Sequence, residues 1–238
     1  MDVHLKRLTS RFEINAEEER VIRSLPDAVL ECAADETIVL AGVAQSYSRI
    51  LLSGVTGRHK GLKNGSRQIT ELNFAGDPID VHSFTLKRLD HDIVSFSQCT
   101  FARIPHQKLW EMTERYPRLA LIYWFGTNLD AAIHREWELS LGKRRAIVRM
   151  AHMYCELNAR LQIVGLSDGR QFRLPLNQAE LGECLGTTVV HTNRTLRQLR
   201  ECGLCDHRGD IVTIHDLAKL SALAEFDPAY LYLEKQTI

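Results

Sequence analysis

Apolar positions in the first thirty residues (Leu5, Phe12, Ile14, Val21, Ile22 and Leu25) recur at helix-like intervals until Pro26 interrupts them. From residue 27 to 105 the texture changes to short apolar runs: TIVLAG, SRILLSG, RQITELNFAG, DIVSFSQ and TFARIP. Glycines at 42, 54, 57, 61, 65 and 76 separate them. Short strands with glycine turns predict a sandwich or barrel. The absence of strand–helix alternation argues against a doubly wound sheet. After Pro105, HQKLWEMTERY predicts a short helix closed by Pro117. Leu119, Ile122, Phe125, Leu129, Ile133 and Trp137 then step three or four residues apart, the stripe of a long amphipathic helix. Asn128, Asp130, Arg135 and Glu138 occupy its other side. We read the stripe as a parallel dimer seam, with Ile122, Phe125, Leu129, Ile133 and Trp137 facing a second copy. Burial against the chain's own strands is the alternative. Ser140-Leu141-Gly142 breaks the pattern, and a second helix carries Ala146, Val148, Ala151, Tyr154, Leu157 and Leu161 on its apolar side. GLSDGRQFRLPL reads as a loop before a final compact module of two short helices, a hairpin and a helical tail.

That module holds the chemistry. In NQAELGECLGTTVVHTNRTLRQLRECG, Asn177 and Glu180 have capping-box spacing, and Gly186 stands where a helix end favours the left-handed conformation. Thr187 or Thr188 can cap a second helix at once. Helix, glycine turn, helix is the helix-turn-helix pattern. On the second helix Thr192, Leu196 and Leu199 share one side, predicted to face inward, and Val190, Arg194 and Arg197 share another, with His191 and Asn193 beside them. Guanidinium forks suit guanine, an asparagine amide suits adenine, and Val189 and Val190 suit a thymine methyl. Gln178, Thr187, Thr188 and the helix N-terminus are candidates for holding phosphate. CDHRGDIVTIHD reads as a hairpin with Arg208 at its tip, a candidate phosphate contact or a plain surface turn.

Composition sharpens this picture in a few places. The chain has 238 residues, 45% hydrophobic and 25% charged, an ordinary globular balance. Thirty basic and thirty acidic residues cancel, which excludes a uniformly basic nucleic-acid coat. The cancellation hides a basic block: residues 143–210 carry 11 Lys+Arg against 7 Asp+Glu, net +4. No apolar run approaches the roughly 18 residues of a membrane span, and the opening residues lack an export pattern. Six sparse cysteines are therefore expected as reduced thiols in a cytoplasmic protein. Cys202-x-x-Cys205 with His207 has no second pair to complete a zinc site, so no metal or cofactor is expected. G-x-S-x-G, P-loop and H-E-x-x-H motifs are absent, so an enzyme is not expected.

On these residues the chain resembles the cyclic-AMP receptor protein/fumarate-nitrate reduction regulator (Crp/Fnr) family of bacterial transcription regulators, in particular its alphaproteobacterial branch. The likeness runs through ILLSGVTGRHKGLKNGSRQITELNFAGDPIDVHSF, REWELSLGKRRAIVRMAHMYCELNARL and LPLNQAELGECLGTTVVHTNRTLRQLRECGL. It implies an α+β chain: a jelly-roll, cyclic-nucleotide-binding-like sensor over 1–116, a dimerisation helix over 117–141 and a winged helix-turn-helix over 142–238. It further implies a homodimer on near-palindromic DNA, contact with RNA polymerase, and an effector site around Asp80, Val81, His82, Arg88 and Asp90. The family's cyclic-nucleotide members carry Gly-Glu and Arg-Ser pairs there, which become Asp80-Val81 and Leu89-Asp90 in this chain. Asp90 repels a phosphate, so cyclic AMP is not expected as effector. The amino-terminal cysteine cluster of iron–sulfur members has no counterpart, Cys32 being the first cysteine. Members with other operators carry Arg-Glu or Glu where Val189 and Val190 stand. A sensor module working through protein partners is the alternative function.

Overall fold

The computed structural model describes all of residues 1–238. The chain divides into two compact units, one of 1–60, 72–131 and 232–238, the other of 61–71 and 132–231.

The amino-terminal helical stretch is two helices, α1 (Asp2–Thr9) and α2 (Ala16–Ser24). The division follows from Asn15. Its side chain accepts from the Glu17 and Glu18 amides, and Glu18 returns a carboxylate to the Asn15 amide, a complete capping box. There follow β1 (Ala28–Cys32), β2 (Thr37–Val39), β3 (Tyr47–Ser53), β4 (Val55–Gly61), β5 (Arg67–Phe74), the single-turn α3 (Ser83–Leu86), β6 (Asp92–Ser95), β7 (Cys99–Pro105), α4 (His106–Arg115) and α5 (Pro117–Lys143). The strands form two antiparallel sheets, ordered β1-β7-β3 and β2-β6-β4-β5. Val39, Leu51, Ile79, Leu89, Ile93, Cys99 and Phe101 form one apolar cluster. A second joins Leu5, Leu8, Phe12 and Ile22 to Leu109 and Met112 of α4 and to Leu119 and Ile122 of α5, on Ile50 and Ile104 of the strands.

This second cluster corrects the expected seam. Ile122, Leu129, Ile133 and Trp137 are buried within the chain itself, and Phe125 packs edge-on against Phe12 and Tyr232. The amino-terminal helices take the first part of the stripe, Ile122 and Phe125, while Trp137 at its far end donates to Glu156. Nor does the helix break at Ser140-Leu141-Gly142. It continues to Lys143, with Arg144 donating to the Ser140 hydroxyl at 2.6 Å just beyond its end.

The second unit contains α6 (Ala146–Val164), β8 (Gln171–Arg173), α7 (Gln178–Leu185), α8 (Val189–Glu201), β9 (Cys205–Arg208), β10 (Ile211–Ile214) and α9 (Leu217–Ala224). Its three strands pair in the order β8-β10-β9, so the segment read as a loop supplies an edge strand to the hairpin. At the centre Glu156 is fully buried. It accepts from Trp137 Nε1 at 3.1 Å and Tyr230 Oη at 2.8 Å, and pairs with Arg160 at 3.2 Å. Buried carboxylates persist when their lone pairs are satisfied in this way.

Candidate nucleic-acid interface

The helix-turn-helix forms as its caps dictate. Asn177 accepts from the Ala179 and Glu180 amides while Glu180 bonds back to the Asn177 amide at 2.7 Å. Gly186 closes α7 at φ +58°, which glycine adopts without steric cost. A Cβ there would meet Leu141, Arg149 and Gln68 side chains at 3.0, 3.4 and 3.6 Å. Thr188 caps α8 by accepting from the His191 amide.

The faces of α8 separate as expected for Thr192 and Leu199, both fully buried, while Leu196 is half-buried. Val189, Val190, Asn193, Arg194 and Arg197 are exposed, Val190 to 79%. Together with Gln178, Arg200 and His207 of the wing, most of this face lines an open concavity of about 930 Å³ that contains three guanidinium groups and no carboxylate. Arg194 contacts His191 Nδ1 at 2.6 Å. Arg197 lies 3.6 Å from Glu201 at the rim, and both side chains are exposed, so water and ions screen the pair. Arg200 was missed in the sequence. It extends the Asn193–Arg197 row by another three residues, and following that row one step further finds it.

Other expected contacts are placed differently. Thr187 turns its hydroxyl inward to Thr192 at 2.9 Å, so it belongs to the turn rather than to a phosphate. Arg208 is exposed but bridged to Asp206 at 3.2 Å, a carboxylate that also holds Arg200. His207 is locked between Tyr154 Oη and the Leu174 carbonyl, both at 3.1 Å, and burial lowers its pKa. Beside the turn, the β4–β5 hairpin reaches α7. Arg67 Nε donates to Glu183 at 2.7 Å, and Gln68 donates to the Cys184 carbonyl at 3.2 Å.

The five effector candidates do not form one site. Asp80 is fully buried and engaged by Arg49, whose backbone amide donates to it at 2.5 Å and whose guanidinium pairs with it. Desolvation pushes this carboxyl up and Arg49 opposes the shift. Val81 and His82 line an apolar cleft of about 990 Å³ with Leu109, Tyr123 and Trp124. Arg88 points elsewhere, donating to the Gly42 carbonyl at 2.8 Å. Asp90 is exposed between Lys60 at 2.7 Å and His91 at 2.9 Å, which hold its carboxyl well below the ordinary range. The buried Arg58, unremarked in the sequence, donates to the Ile79 carbonyl at 2.9 Å and pairs with Asp130 of α5 at 3.2 Å. The cysteines do not fit an iron–sulfur cluster, which needs about four thiolates converging. No three Cys, His, Asp or Glu side chains assemble in a metal-holding group.

On α5 the face left open carries Leu121, Trp124, Asn128, Ala131, Arg135 and Glu138, spaced alternately three and four apart. That spacing keeps all six on one side of the helix, with the apolar Leu121 and Trp124 toward its amino-terminal half. No helix is long and apolar enough to cross a membrane.

A β-rich amino-terminal unit, a long helix and a capped helix-turn-helix beside a three-stranded wing define a DNA-binding transcription regulator. A Crp-like helix-turn-helix domain model matches residues 148–223. The anaerobic regulatory protein of Haemophilus influenzae is 23% identical over 234 residues, covering 98% of this chain and 91% of its own. The fumarate and nitrate reduction regulatory protein of Salmonella typhi is 23% identical, covering 94% and 89%. The structure of FixK2 from Bradyrhizobium japonicum superimposes with a TM-score of 0.75 at 20% identity, covering 82% of this chain and 96% of that one. Residues 148–223 thus form a Crp-like helix-turn-helix domain, and along nearly its whole length the chain is similar to transcription regulators of the Crp/Fnr type.

Proposed function

We propose that the protein is a homodimeric, sequence-specific regulator that reads a near-palindromic operator with α8 and works without cyclic AMP or an iron–sulfur cluster. The carrying observation is the open, carboxylate-free concavity of α8, where Arg194, Arg197 and Arg200 stand beside Asn193 and Val190. Arg194 and Arg197 read guanine, Asn193 reads adenine, and Val189 and Val190 meet thymine methyls. Gln178, Thr188 and the α8 N-terminus grip phosphate, with Arg208 as an outer contact. The second copy docks on the open α5 face through Leu121, Trp124, Asn128, Ala131 and Arg135. The division of labour follows 1–116 as sensor, 117–141 as dimer helix and 142–238 as DNA-binding domain. RNA polymerase is the further partner, and the protein acts in the cytoplasm.

Independence from cyclic AMP is supported by the state of Arg49 and Arg58. Both guanidinium groups are buried and engaged with protein acceptors, and Lys60 is taken by Asp90 at 2.7 Å. Calorimetry with cyclic AMP is expected to give no saturable heat; clear micromolar binding would refute this point. The decisive experiment is selection from random duplex DNA combined with light scattering. The expected result is a two-fold symmetric motif bound by a dimer, and a Leu121→Asp/Trp124→Asp double variant that is monomeric and binds the motif at least tenfold more weakly. A strictly monomeric wild type without sequence preference overturns the reading.

A further inference from the structure

Strand β1 ends at Cys32, β7 begins at Cys99, and the antiparallel register sets the two residues directly opposite each other. Opposed residues project from the same face of a sheet with Cα atoms about 4.5–5.5 Å apart. That separation lies inside the roughly 4.4–6.8 Å that a disulfide spans.

The two sulfurs have unequal surroundings. Cys99 is fully buried among Leu51, Ile93 and Phe101. Its Sγ occupies room left by Gly54, where a Cβ would approach the sulfur to 2.5 Å. Burial, with Cys32 beside it, pushes the Cys99 thiol up to about 11. Cys32 is only partly buried and lies on an edge strand. One thiol therefore faces incoming reagents and the other waits directly behind it.

We propose that Cys32 and Cys99 are a redox pair that a hydroperoxide converts into a cross-strand disulfide. The Cys32 thiolate attacks one peroxide oxygen and the O–O bond breaks, leaving Cys32 sulfenic acid and hydroxide. Sulfur is oxidised by two electrons and the peroxide is reduced. The Cys99 sulfur then bonds to the Cys32 sulfur, the S–O bond breaks, and the displaced hydroxyl leaves as water with the thiol proton. A small thiol reverses the bond by exchange. The disulfide staples edge strand β1 to β7 and so stiffens the sensor unit. This site is separate from α8, and its test does not depend on DNA binding.

The test treats the reduced full chain with hydrogen peroxide, alkylates remaining thiols with N-ethylmaleimide in denaturant, and maps the peptides by mass. The expected product joins the Cys32 and Cys99 peptides with loss of two hydrogens and is undone by dithiothreitol. The melting temperature should rise on oxidation of the wild type and stay constant for identically treated Cys32→Ser and Cys32→Ala chains, in which Cys99 remains fully alkylatable. The proposal is overturned if Cys99 alkylates equally before and after peroxide, if Cys32 accumulates only as sulfinic acid, or if the sole cross-link joins Cys202 to Cys205.

Discussion

Arg49 and Arg58 of the strand region and the arginines of α8 are used in opposite ways. In the strand region Arg49 and Arg58 are withdrawn from water, each engaged by a carboxylate and by further polar partners or carbonyl oxygens. In the DNA-binding unit Arg194 and Arg197 extend into solvent with partners only at the helix surface. A guanidinium recognises an anion only if its donors are available, because exchanging a buried partner for a ligand exposes another charge. The contrast teaches that the count of basic residues says little. Arg49 and Arg58 serve as scaffold, and the open row on α8 is left free to face nucleic acid.

Three measurements bear on this contrast. The largest effect is expected for Arg49→Ala, which strands the buried Asp80 carboxylate. Unfolding by urea should show a loss of about 3–5 kcal/mol, and a loss below about 1 kcal/mol would mean that Arg49 is not the enclosed structural cation described above. Next is acid sensitivity. His4 Nδ1 donates to the Gly76 carbonyl at 2.8 Å, its Nε2 lies 3.1 Å from Tyr123 Oη, and burial lowers its pKa from 6.5 to about 4. The unfolded chain therefore takes up this proton first. Stability is complete above pH 7 and declines as pH falls from about 6.5 toward 4, by about 3 kcal/mol in all. His152, also lowered to about 4 by burial, adds a similar decline in the other unit. A His4→Gln chain should lose its share of the slope; an unchanged slope contradicts a neutral buried His4. The smallest effect is Arg194→Ala, expected to cost about 1–3 kcal/mol on the operator and to relax choice at one base pair. Equal weakening on unrelated DNA would demote Arg194 to a phosphate contact.

What the sequence disclosed depended on how far apart the interacting residues lie. The helix-turn-helix was legible because Asn177–Glu180, Gly186 and Thr188 act within a few residues of one another. Strand β4 was not recognised, because VTGRHKG reads as polar while its Arg58 is buried against Asp130, 72 residues away. Strand β1 was overlooked because an edge strand buries only part of its side chains. The α5 stripe was found correctly, but periodicity identifies a face and not what covers it. Only the packing, of α1 and α2 on Ile122 and Phe125 and of Glu156 on Trp137, reveals that the stripe is internal and that Leu121 and Trp124 lie on the outer side.

The glycine that ends α7 has a further consequence. Side chains from the β4–β5 hairpin, the end of α5 and the start of α6 crowd the one position whose backbone conformation already demands the smallest residue. Gln68, Leu141, Arg149 and Gly186 are therefore expected to be epistatic. A larger residue at any of the first three should be tolerated only alongside a compensating reduction at another, so divergence at the turn of the helix-turn-helix is bounded in part by Gln68, more than a hundred positions upstream.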